Sequence, residues 1–167
     1  MRIYGFVLPG LLLFSAIALL SLTSVKSEEQ RPATRRHPYH DRPSSEALPE
    51  TLDASQFADQ HASYVVYTLA ARMKTTLYQV PCYCPCDRHW GHLSLLDCYR
   101  DRHGAFCPTC QKEILLCFRD DQRGKSPAQI RSEIAKGKAW KIDVEKVTNR
   151  IYEQLREDRE QKFAPRL

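Results

Sequence analysis

Cysteine is missing from residues 1–81 and again from residues 118–167, so all seven cysteines fall in one short window. Glycine is scarce at six residues, and no glycine-rich loop able to cradle a phosphate can be drawn from them. No Ser/His/Asp arrangement and no paired-carboxylate site stands out, so nothing in the chain marks an enzyme. Glu113, Glu133 and Glu145 read as solvated helix faces. No stretch alternates apolar and polar residues over any length, which leaves no strand to build a sheet from. A large charge surplus is absent too. The formal charge is +5, and residues 1–27 hold two of the basic residues and no acidic one, so the remainder carries +3. Spread over mixed-sign segments, that is no nucleic-acid footprint.

What is present begins with an apolar run over residues 6–22 behind Arg2, followed by small residues at Val25 and Ser27. The run reads as an export signal cleaved after Ser27 or, since it approaches the roughly 20 apolar residues that span a bilayer, as an uncleaved anchor within residues 3–25. Pro9 and Gly10 interrupt it and favour the signal. No cysteine follows the run to carry a lipid, and no paired arginine precedes it, so export of an unfolded chain is expected, to the periplasm or cell surface. Membrane contact is then expected only through this segment, if it is uncleaved. Residues 28–54 are polar and proline-rich and read as a linker, with His37 and His40 as incidental histidines.

From residue 55 to 160 the pattern predicts an all-α domain, with a short tail over 161–167. Phe57, His61, Tyr64, Val65, Thr68, Leu69, Arg72 and Met73 recur at three- and four-residue intervals, the period of one helix face. Asp53 or Ser55 can cap this helix, His61 reads as a core or boundary residue, and the helix must stop before Pro81. Ser94 and Asp97 have the spacing of a capping box, predicting a short helix through Cys98 and Tyr99 to a stop at His103-Gly104, with His103 completing the helix end. Another helix starts near Pro108-Thr109, carries Cys110, Ile114 and Cys117, and closes at Arg123-Gly124. Ser126-Pro127-Ala128-Gln129 caps the next, which turns Ile130 and Ile134 inward and ends at Gly137. Val144, Val147, Ile151 and Leu155 mark a last helix over about 143–159.

The chemistry lies in Pro81-Cys82-Tyr83-Cys84-Pro85-Cys86 and in the histidines and cysteines between positions 89 and 117. In an extended segment Cys82, Cys84 and Cys86 point to one side at about 7 Å spacing, and a kink would bring them closer. Cys-x-Cys suits metals that accept few or bridging thiolates, monovalent copper first; zinc would require four donors. Cys107 and Cys110 form a Cys-x-x-Cys pair at a helix mouth, where the dipole lowers a thiol pKa and so serves a metal ligand or a redox dithiol alike. Either His89 or His92 can complete a nitrogen–sulfur shell, and Cys117 is a further ligand or a buried thiol. Three readings stay open: a soft-metal site, a thiol–disulfide exchanger, and a helical domain stapled by disulfides. Haem attachment is excluded, because Gln111 stands where the motif needs histidine. An iron–sulfur cluster has the ligands but fits poorly with export unfolded.

Residues 64–86, with Gly91-His92-Leu93-Ser94-Leu95-Leu96-Asp97-Cys98, resemble the bacterial PCYCGC-motif (lipo)proteins. Cys107, Cys110 and residues 124–131 extend the likeness, which runs over about 57–152. The helical tail is also similar to short helical hairpins of cytochrome c maturation factors. Pro85 stands where the family has glycine, and the family's lipid-anchor cysteine is missing. The resemblance implies a small extracytoplasmic protein in which Cys82, Cys84, Cys86, His92, Cys98, Cys107 and Cys110 form one constellation. The donor chemistry itself, not the resemblance, carries the expectation of a copper or zinc ion as cofactor and of a protein partner for metal or thiol exchange.

Overall fold

The computed structural model describes residues 37–163. The expected export segment, the first part of the linker and residues 164–167 of the tail lie outside the described residues. Among the described residues every regular element is helical, and no helix is long and apolar enough to cross a membrane.

The fold is built around the Cys-x-x-Cys helix, Pro108–Asp121, here α5. Pro108 occupies its first turn, where a missing N–H costs nothing, and extended Cys107 precedes it as N-cap. Gly124 lies just beyond its end at φ 73°, a left-handed conformation that stops the helix. Cys110, Glu113, Ile114, Leu115, Leu116 and Cys117 are all buried along it. It packs against α1 (His61–Arg72), α2 (Lys74–Tyr78), α4 (His103–Phe106), α6 (Pro127–Ala135) and α7 (Val144–Phe163). A short α3 spans Cys86–His89. The capping box at the start of α6 forms as the spacing predicts, with Ser126 Oγ and the Gln129 side chain serving each other's backbone N–H. On α7, Tyr152 stacks on His61 of α1 at 4.1 Å, but His61 is exposed and not the core or boundary residue its spacing predicts.

Two elements differ from the periodic reading. The first apolar period is shared by three pieces: a 3-10 turn at Ala54–Phe57 capped by Asp53, then α1, then α2. All three feed one core, so the spacing is continuous although the helix axis is not. The second difference bears on the site. The segment after Ser94 forms only a 3-10 turn, Leu96–Tyr99, and α4 begins at His103, where a stop was expected. Gly104 is therefore inside a helical turn. A Cβ there would lie 2.6 Å from a Tyr99 ring carbon and 2.9 Å from the Cys98 carbonyl oxygen. Glycine is required by close approach, and no helix ends on it.

Residues 37–52 have no helix or strand, yet they lie along the helical body. The Leu52 N–H donates to the Tyr99 carbonyl at 2.8 Å, and Leu48 and Leu52 pack on the core. His40 stacks on Tyr78 at 3.7 Å and His37 meets Tyr83 at 4.5 Å.

Candidate metal centre

Four segments deliver the cysteines and His103 to one place. The loop from Pro81 is pinned at its entrance by Leu95, whose N–H donates to the Val80 carbonyl at 2.8 Å. In its middle the Tyr83 N–H donates to Glu113 Oε1 at 3.0 Å. Pro85 at φ −78°, ψ 22° then turns the chain into α3. The loop is thus kinked, and Cys82 Sγ comes within 3.3 Å of Cys84 Sγ. The 3-10 turn contributes Cys98, fixed in position by Asp97, which accepts from the N–H groups of Leu93 and Ser94. α4 supplies His103 and α5 supplies Cys107 and Cys110. The Tyr99 hydroxyl ties the 3-10 turn to α5 by donating to the Cys110 carbonyl at 2.8 Å.

The sulfurs meet. Cys82 Sγ lies 3.4 Å from Cys110 Sγ, Cys84 Sγ 3.8 Å from Cys110 Sγ, and Cys86 Sγ 3.6 Å from Cys98 Sγ. His103 Nε2 stands 3.3 Å from Cys84 Sγ, and His92 Nδ1 stands 3.4 Å from Cys98 Sγ. Cys84, His103, Cys107 and Cys110 place one donor atom each within 4.8 Å of one another, as do Cys82, Cys98 and Cys110; Cys82, Cys84 and Cys86; and Cys86, Cys98 and His103. All seven cysteines are free thiols, and six of them are in this cluster. Such a set of cysteines and histidines can bind a metal ion.

The charges fit a donor cluster. Hydrogen bonds from Cys107, Cys110 and Cys82 pull the Cys84 thiol down, making it the sulfur that most readily becomes thiolate. Cys110 is pushed up by its bonds to Cys107, Cys82 and Cys84, and Cys86 by those to Cys82 and Cys84. The lowering expected for Cys107 and Cys110 at the mouth of α5 is not found: both thiols are pushed up, Cys110 by its hydrogen bonds to the neighbouring sulfurs. Asp101 contacts both histidines, His103 through its backbone and His92 through its ring. Its Oδ1 accepts the His103 backbone N–H at 2.7 Å, and its Oδ2 lies 3.5 Å from His92 Nε2. That second contact turns His92 Nδ1 toward Cys98, the arrangement by which a carboxylate orients a ligating histidine.

Against the sequence reading, Cys82, Cys84, Cys86, His92, Cys98, Cys107 and Cys110 come together as one group. His103, read as a helix end, joins them because α4 starts there and turns its ring into the cluster. His89 is exposed and faces Trp90. Cys117 is fully buried in the apolar core and belongs to none of the donor groups. Glu113 is corrected: it is 1% exposed, not a solvated face, and burial raises its carboxyl to about 8. Its Oε2 is buried without a hydrogen-bond partner. One signal for it was available, since position 113 lies one turn beyond Cys110 on the face shared with Ile114 and Cys117.

A family model described as a protein of unknown function with PCYCGC motif matches residues 12–141, well over half of the chain. The chain belongs to that family. Within this PCYCGC-motif protein the matched region covers every residue of the sulfur cluster. No curated protein and no solved structure matches the chain. The family's description carries no activity, so the role has to be argued from the site.

Proposed function

We propose that this PCYCGC-motif protein is an extracytoplasmic binder of soft metal, copper(I) first and zinc second, serving storage, delivery or sensing. The observation that carries the reading is the convergence of six thiols and two imidazoles from separate segments into one group of contacts. Burying so many thiols side by side gives little as packing. Thiolates concentrated away from water need cations beside them, and soft thiolate donors select monovalent copper and zinc. Export is supported by the apolar run over 6–22 behind Arg2. A protein partner would hand over or collect the ion.

The test is anaerobic purification with elemental analysis and thiol titration, before and after chelation. Metal that copurifies or rebinds, with thiols that become titratable only on chelation, supports the proposal. Oxidised sulfurs with no metal retained would overturn it.

Thiol–disulfide exchange is the second reading, favoured by the 3.4 Å approach of Cys82 and Cys110 and the 3.6 Å approach of Cys86 and Cys98. A small movement would close either pair to the roughly 2.05 Å of a disulfide. Cysteines found paired after aerobic isolation, and restored by a thiol reductant without loss of fold, would favour it.

A further inference from the structure

Resting on the metal-binding reading, we infer that the centre holds at least two ions, bridged through thiolates. A single ion cannot use the donors present. Zinc takes four ligands, and the cluster offers six sulfurs and two ring nitrogens.

The donors also divide into two sets with no member in common. Cys84, His103, Cys107 and Cys110 are one complete four-donor set. The remaining groups together place Cys82, Cys86 and Cys98 pairwise within 4.8 Å of one another. At a metal–sulfur bond of ~2.3 Å, two sulfurs on one tetrahedral ion lie ~3.8 Å apart, so a modest contraction brings either set onto one ion. His92 stands at the edge of the second set, its Nδ1 3.4 Å from Cys98 Sγ and its Nε2 facing Asp101. It can supply the fourth donor there.

The two sets touch through Cys82. Its sulfur lies 3.3 Å from Cys84 and 3.4 Å from Cys110, both in the first set. Ions held in adjoining sets at that separation share thiolates. Charge argues the same way. One divalent ion in the first set balances two of its three thiolates and leaves Cys82, Cys86 and Cys98 buried with no cation. A second ion is what allows those three to ionise as ligands. With monovalent copper the argument is stronger, since each ion balances a single thiolate.

The experiment is an anaerobic titration of the reduced full-length protein with Cu(I), and separately with Zn²⁺, read by native mass spectrometry. Two or more copper ions, or two zinc ions, per chain are expected at saturation. Cys98→Ser and Cys107→Ser should each lower the zinc count by one, because they strike different sets. Saturation of the wild type at one ion per chain with either metal would overturn the two-ion inference and leave metal binding intact. Retention of no ion would overturn both. The wild-type count decides the question even if a variant fails to fold.

Discussion

Replacing Glu113 by glutamine in the reduced, metal-free protein should flatten the dependence of stability on pH. The carboxyl is 1% exposed, and burial lifts it from 4.5 to about 8. In the unfolded chain it regains its ordinary value, about 4.3. Between the two values the folded protein keeps a proton that the unfolded chain has lost. Stability is therefore greatest below the lower value and falls as pH rises through the window. One such proton is worth ~1.4 kcal/mol per pH unit, and the whole gap is on the order of 5 kcal/mol as an upper bound. Glutamine keeps a carbonyl oxygen for the Tyr83 N–H, which donates to Oε1 in the native protein, but it has nothing to titrate. Urea unfolding from about pH 5 to about pH 8 should show the wild type losing ~1 kcal/mol per unit more than Glu113→Gln. Parallel stability curves would refute the reasoning and mean that the carboxyl is hydrated.

Three further substitutions separate packing from chemistry. Gly104→Ala forces a Cβ to 2.9 Å from the Cys98 carbonyl oxygen, which should cost ~1–3 kcal/mol in a chemical denaturation curve; an unchanged midpoint would contradict the close approach. Cys117→Ala removes a fully buried sulfur outside the donor groups. It should cost ~1–2 kcal/mol of stability with metal content unchanged, and a lost ion would make Cys117 a ligand after all. Asp101→Asn leaves the sulfurs in place but loosens His92, and should weaken metal affinity ~10–100-fold in competition with a chelator; equal affinities would dismiss the carboxylate as an orienting group.

Much of the helical frame was legible because local signals agree with tertiary packing. Pro108 and the Ser126–Gln129 box mark helix starts by satisfying or removing free N–H groups, and they work in the structure as the spacing predicts. The gathering of cysteines was legible because proline-locked Cys-x-Cys has few packing explanations. What was not legible depends on contacts across the chain. His103 beside Gly104 has the local form of a helix end, and only the Tyr99 ring pressed on Gly104 reveals a helical turn aimed at Cys84. Glu113 was misread because charge outweighed position, although its place between Cys110 and Cys117 puts it on the buried face. The two-set division of the donors lies beyond any spacing rule, since Cys82 and Cys110 are 28 residues apart and touch only after folding.

X-ray absorption at the metal edge of the anaerobically loaded protein tests the central claim most directly. The account predicts a first shell dominated by sulfur, at ~2.3 Å for zinc, with a minor imidazole contribution. A shell made of oxygen and nitrogen alone would show that the ion sits elsewhere and that the converging thiols do not hold it.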